Sequence, residues 1–218
     1  MGDSMSTIIN ATTTNGVVIQ PDNSGSLVLQ TNNGTTALTI DTSQNATFAG
    51  TLTATGKLVS SSMPTGSVLQ VVQGTKTDAF TTTSTSFVIP TGLSVSITPY
   101  ASSSKFLIQC YTNFAISGDA GHAYSQIQRN GTGINIGDAA GSRPRAGVAQ
   151  NNYGDNSPPS FAMCFLDSPA TTSAVTYSLG VRSSNGTTVY LNRSVRDADT
   201  TTYDGRTSSA IIVMEIKG

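Results

Sequence analysis

Three aspartates within eight positions, Asp197, Asp199 and Asp204, form the densest carboxylate group in the chain. Two carboxylates held about 5 to 9.5 Å apart cut glycosidic bonds, one as acid and the other as nucleophile or base, so this segment offers polysaccharide hydrolysis its best footing. The same three oxygen donors suit Ca²⁺, although the twelve-residue loop ending in a bidentate glutamate is missing. Their setting favours a plainer role. Arg193, Arg196 and Arg206 flank them and predict surface ion pairs, and Asp in a Thr-rich strand connection normally closes Asx-turns. The remaining chemistry is thin. The single histidine, His122, follows the turn-like Gly118-Asp119-Ala120-Gly121, and no Gly-x-Ser-x-Gly elbow surrounds any serine. Cys110 and Cys164 stand 54 positions apart, a spacing that suits no structural zinc site. Gly131-Thr132-Gly133 lacks the lysine and the following helix of a phosphate-binding loop. The sequence therefore predicts no catalytic residue, no metal and no cofactor.

Binding has a better candidate. Arg143, Arg145, Asn151, Asn152, Tyr153, Asp155 and Asn156 lie in a long Gly-, Asn- and Pro-rich stretch between Gly137 and Ser160. An aromatic face stacks on a sugar ring while amides and guanidinium groups direct hydrogen bonds, so the set suits a glycan or a protein surface. A solvated loop, or one between subunits, would use the same residue types.

The elements that must carry these residues are strands. Counting gives 33 Thr and 29 Ser with only one Glu, Glu215, and charged residues make up 11% of the chain. Thr and Val suit a half-buried pleated surface, and good helix formers are scarce. A net charge of -1 with scattered basic residues argues against nucleic acid and anionic membrane as partners. No run of eighteen apolar residues predicts membrane insertion, and Met1 to Ser6 lacks the basic and apolar regions of a signal peptide. From Val68 onward, apolar residues alternate in runs bounded by turn signals, predicting strands at 68–73, 86–89, 93–99, 105–116, 123–129, 132–137, 161–166, 174–182, 187–194 and 208–217. Asn130-Gly131 and Asn185-Gly186 predict hairpins. The fold class is all-β, with an antiparallel β-sandwich or jelly-roll head over residues 63–218. Cys110 and Cys164 sit in apolar stretches and are expected as buried free thiols. The last strand runs almost to Gly218, which requires pairing. Ile212, Met214 and Ile216 fall on one face and Ile211, Val213 and Glu215 on the other, and an exposed edge strand is the alternative.

Residues 15–62 behave differently. Val17-Val18-Ile19-Gln20, Leu27-Val28-Leu29-Gln30 and Ala37-Leu38-Thr39-Ile40 recur every ten residues, separated by Asn/Gly turns, and short strands follow toward Ala46-Thr47-Phe48 and Thr51-Leu52. Four-residue strands in one chain cannot offset an ordering entropy of about 1–2 kcal/mol per residue, so they need neighbours. Three intertwined chains would supply them, with Val18, Leu27, Leu29, Leu38, Ile40, Phe48 and Leu52 as the shared stem core. A Thr/Asn-rich flexible linker is the alternative. Residues 1–14 would form a flexible or anchoring segment.

Several phrases carry a resemblance. Gly25-Ser26-Leu27-Val28-Leu29-Gln30-Thr31-Asn32-Asn33-Gly34 followed by Thr39-Ile40-Asp41 resembles the stem repeat of tail-fibre proteins of tailed, marine-type bacteriophages. Ser102-Ser103-Ser104-Lys105-Phe106-Leu107-Ile108, Arg129-Asn130-Gly131-Thr132, Gly137-Asp138-Ala139-Ala140-Gly141-Ser142-Arg143, Phe165-Leu166-Asp167-Ser168-Pro169-Ala170 and Gly205-Arg206-Thr207-Ser208-Ser209 are similar to phrases in the heads of such proteins. The resemblance implies a homotrimeric virion protein, made in the bacterial cytoplasm, anchored to other virion proteins by its N-terminus and presenting its head to a host glycan or protein. A short chain would equally fit a capsid head fibre or cement protein, and a polysaccharide-cutting tailspike is the enzymatic rival.

Overall fold

A computed structural model describes residues 25–31, 34–50, 63–118, 121–151 and 158–218. The described residues are all-β, with fourteen antiparallel strands and no helix. The chain divides into two compact units, Met1–Lys57 and Leu58–Gly218.

In the first unit, β1 (Leu27–Thr31), β2 (Thr35–Ile40) and β3 (Ala46–Phe48) form a three-stranded sheet in that order. Leu27 pairs with Ile40 and Ile40 with Ala46, while Leu29 pairs with Leu38 and Leu38 with Phe48. Because side chains alternate along a strand, this register puts Leu27, Leu29, Leu38, Ile40 and Phe48 on one face. The link from β2 to β3 is an Asx-turn. One Asp41 carboxylate oxygen accepts from the amides of Ser43 and Asn45, both at 2.9 Å, which lets Gln44 hold a φ of 65°. The expected strands at 17–20, 51–54 and 57–59 lie outside the described residues.

The second unit holds two larger sheets. In the first, β6 (Ser94–Ile97) pairs with β12 (Val175–Ser183), β12 with β8 (Ala123–Arg129), and β8 with both β9 (Thr132–Ile134) and β10 (Val148–Gln150). In the second, β7 (Lys105–Ile116) carries β11 (Ser160–Asp167) on one edge and β14 (Ser209–Ile216) on the other. β14 pairs onward with β4 (Val68–Lys76), and the far end of β7 pairs with β13 (Val189–Leu191), which pairs with β5 (Phe80–Thr82). Alternate residues of each sheet point into one core. Ile127, Tyr177, Leu179 and Val181 come from the first sheet, and Phe106, Ile108, Phe114, Ile211 and Val213 from the second. Rings of Phe106 and Tyr177 meet across the two layers, centroids 5.6 Å apart. Each such side chain contributes about 1.5–3 kcal/mol on burial. This is the layering of a β-sandwich.

Turn chemistry explains one hairpin and misleads at another. Asn130 and Gly131 both have positive φ, 49° and 81°, as a two-residue hairpin between β8 and β9 requires. Asn185-Gly186 is also a turn, with the Asn185 side chain accepting from the Thr187 amide and hydroxyl. However, it is not a hairpin: β12 and β13 belong to different sheets, and the turn carries the chain between layers. Local geometry fixes a reversal but not the sheet that the next strand joins. Gly92, at φ 94°, closes the Pro90-Thr91 turn; a Cβ there would stand 2.5 Å from the carbonyl oxygen of Thr75. The expected strand at 86–89 contributes one bridge, Val88 to Val181. Two short strands, β5 and β10, fall where no strand was expected.

Two further sequence expectations meet the core. β14 is an interior strand, paired on both sides, with Ile211, Val213 and Glu215 buried and Ile212, Met214 and Ile216 half-buried on the opposite face. Cys110 is buried, and burial pushes its thiol up to about 12. Cys164 is exposed, which corrects the expectation of two buried thiols. The register explains why: Met163, not Cys164, stands opposite Cys110, so Cys164 points to the outer face of the sheet.

Candidate functional site

The aspartates and arginines between β13 and β14 form one braced loop. Its base is Asn192, fully buried at φ 61°. The Asn192 amide donates to the carbonyls of Lys76 (2.8 Å) and Asp78 (3.1 Å) and accepts from the Ser209 hydroxyl (2.6 Å). From there the chain folds back on itself. Asp204 accepts from Ser194 Oγ at 2.5 Å and from Nε and Nη2 of Arg196, while Asp197 takes Arg193 (2.5 Å) and Arg206 (2.8 Å). The Arg193 and Arg196 guanidinium groups also lie over the rings of Tyr190 and Tyr203. The predicted pairing of these arginines with these aspartates is therefore present. The Arg196 guanidinium and the Ser194 hydroxyl hold the Asp204 carboxyl below its ordinary value of 3.8. A glycosidic general acid needs the opposite shift. Asp199 is exposed. Among the described residues no group of three or more His, Cys, Asp or Glu is gathered so as to hold a metal ion. Residues 200–206 line an open cleft of about 560 Å³ in which Tyr203 stands 57% exposed.

Of the candidate binding set, Arg143, Arg145 and Asn151 are described and exposed; Asn152, Tyr153, Asp155 and Asn156 lie outside the described residues. Arg145 Nε donates to the Gly137 carbonyl at 2.6 Å, closing the neck of the 137–146 loop. Arg143 is the better placed of the two arginines to meet a ligand. His122 is exposed, its ring stacked near Tyr124 with centroids 6.2 Å apart.

The stem-core set is the most cohesive of the predicted groups. Leu27, Leu29, Leu38, Ile40 and Phe48 share one face of the first-unit sheet, and Val18 and Leu52 lie outside the described residues. That face is incompletely covered: Leu29 is 41% and Phe48 45% exposed.

Sequence reasoning missed the exposed Tyr203 and the outward apolar residues of the larger second-unit sheet, among them Val71, Leu166 and Cys164. A signal for the latter was present. Ala210 to Met214 and Phe161 to Leu166 are continuous apolar runs, and a strand solvated on one face normally alternates apolar with polar residues. No protein-family model matches the chain, and no curated protein shows significant sequence similarity to it.

Proposed function

We propose that the protein is a structural appendage of a tailed-bacteriophage virion. In this reading it is a short homotrimeric fibre, attached through its N-terminal region to other virion proteins, with a sandwich head of jelly-roll type meeting a host glycan or protein. The observation that carries the reading is the sheet of β1, β2 and β3. Strands of 5, 6 and 3 residues present five large apolar side chains on one face, where Leu29 and Phe48 stay 41% and 45% exposed, and ordering such short strands costs about 1–2 kcal/mol per residue that a covered face must offset. Copies of the same chain supply identical faces and complete a core around a common axis. The phrases shared with phage fibre stems favour the same arrangement.

The braced 192–208 loop supports a non-catalytic role for its aspartates, since both Asp197 and Asp204 are taken up by arginine. Purified protein is expected to leave the viscosity of capsular polymer unchanged. A fall in viscosity would restore the depolymerase reading.

Antibody to the head, applied to purified particles, tests the location. Label on the tail is the expected result. Label on the capsid shell would reassign the protein as a head fibre or cement protein, and unlabelled particles would end the virion reading.

A further inference from the structure

In the six-stranded sheet of the second unit, the face turned away from the core carries an apolar row beside a more ordinary mixed one, in which Gln73 and Gln109 flank Ile212. The register aligns Val71 of β4, Met214 of β14, Leu107 of β7 and Leu166 of β11 in one straight row across four strands. Val71 is 54% and Leu166 51% exposed, so no described residue covers the ends of the row. Ile216 stands on one side of the row, and Ile212 on the other, with Tyr111 beyond it. Lys105, at the margin, is the single charge that these four strands present on this face. The other sheet of the same unit is the internal comparison. Its outward positions on β8 and β12, Tyr124, Gln126, Gln128, Thr176, Ser178 and Arg182, are polar even though Gln126, Gln128 and Ser178 are themselves buried.

We infer that this outer face is a self-association surface that packs against the same face of further copies of the chain. The inference rests on the appendage reading and deepens it by naming where the heads meet. Two considerations select a second copy as the occupant. The face is almost uncharged, so it does not repel a copy of itself and offers no charge pattern for an unlike partner to match. The first unit of the same chain independently presents an apolar sheet face that is incompletely covered. Four strands about 4.8 Å apart, followed over seven residues at about 3.4 Å each, make a face of roughly 400 Å². Two copies meeting on it remove roughly 800 Å², below the range of stable interfaces, so the contact relies on copies already joined through their first units.

The exposed Cys164 is a natural reporter because it lies on this face, one residue pair from the Leu107–Leu166 contact. Cys110 is buried in the core whatever the assembly state. The full-length chain at micromolar concentration is treated with Ellman's reagent while its mass is followed by light scattering, and denatured protein supplies the count of two thiols. The inference predicts an associated protein with less than about one-fifth of a thiol reacting in the fast phase. Placing charge at the two most open ends of the row, Val71→Lys with Leu166→Lys, should raise this to one thiol and weaken association at least tenfold. The control Ala149→Lys, on the exposed edge strand of the other sheet, should change neither. An associated wild-type chain with one fast thiol, indifferent to the paired lysines, would overturn the inference while leaving the appendage reading standing. A monomer with one fast thiol would overturn both.

Discussion

Tyr177 donates its phenolic hydrogen to Asp167 at 2.6 Å, joining the two sheets of the second unit through a buried polar contact. The same carboxylate receives Arg129 Nη1 on both oxygens, at 2.9 and 3.0 Å, so a strand of one sheet carries an anion held by two strands of the other. A buried carboxylate is tolerated only when its lone pairs are filled. Burial first, and then the carboxylate acceptor, push the Tyr177 phenol well above its ordinary value of 10, so it remains a donor at any physiological pH. Tyr177→Phe should destabilise the head by about 1.5–3 kcal/mol, the range for a hydrogen bond to a charged group. Arg129→Met should cost less than the roughly 3–5 kcal/mol of a fully buried pair, because the arginine side chain is about one-third exposed. Urea denaturation of both variants measures the difference, and two unchanged midpoints would remove the pair from the account.

The C-terminal strand separates core from surface within one residue. Val213 is fully buried and Ile212 lies half-buried on the outer face. Val213→Asp should therefore abolish cooperative unfolding, since an unpaired carboxylate in the core costs several kcal/mol out of a total domain stability of roughly 5–15. Read from the sequence as a paired and buried strand, the C-terminus would lose a soluble head on either Ile212→Asp or Val213→Asp. The structure divides them: Ile212→Asp should fold and lose mass in solution. Calorimetry with light scattering on the pair distinguishes the two faces, and an insoluble Ile212→Asp would move that residue into the core.

Asp204 makes the loop above Asn192 sensitive to acid. Its carboxyl is depressed in the folded chain by Arg196 and Ser194, so the group contributes stability that is fully present above the ordinary value of 3.8. That contribution is lost as pH falls through the lower folded value. Amide exchange across 194–206 should be steady from neutral pH down to about 4 once its intrinsic pH dependence is removed, and should quicken below that. Asp204→Asn should abolish the acid step and leave the loop less protected at neutral pH. A step centred near pH 6 would point to a different group.

Asn192 anchors that loop at a backbone φ that favours Asn or Gly. Asn192→Ala removes the partner of two carbonyls and one hydroxyl and adds strain at φ 61°. Unsatisfied buried groups and backbone strain each cost about 1–3 kcal/mol. The variant should melt well below the parent, and Asn192→Gly, which relieves only the strain, should fall between them. Equal melting temperatures for all three would show that the base of the loop does not contribute to folding.

The long alternating segments were legible from the residues alone. The strands 105–116 and 123–129 begin and end where hydrophobic alternation places them, because each has one face in the core and its turn residues mark both ends. Three-residue strands left no such trace: β5 and β10 sit in Thr- and Gly-rich segments too short to show a period. The crossing at Asn185-Gly186 was invisible because sheet membership is decided by distant partners. Cys164 was misplaced because a run that is apolar on both faces reads as doubly buried, whereas here Cys164 and Leu166 are exposed on the second face. The arginine–aspartate pairing of the 193–206 loop was readable from charge spacing, but the hub at Asn192 depends on contacts with residues more than a hundred positions away.

Both incompletely covered apolar faces underlie the proposal that copies of the chain associate. Light scattering of the full-length protein at micromolar concentration tests this most directly. Three times the 22.4 kDa chain mass is the predicted result. A stable, monodisperse monomer would contradict the account, because neither the face of β1–β3 nor the row from Val71 to Leu166 would then have a partner of its own kind.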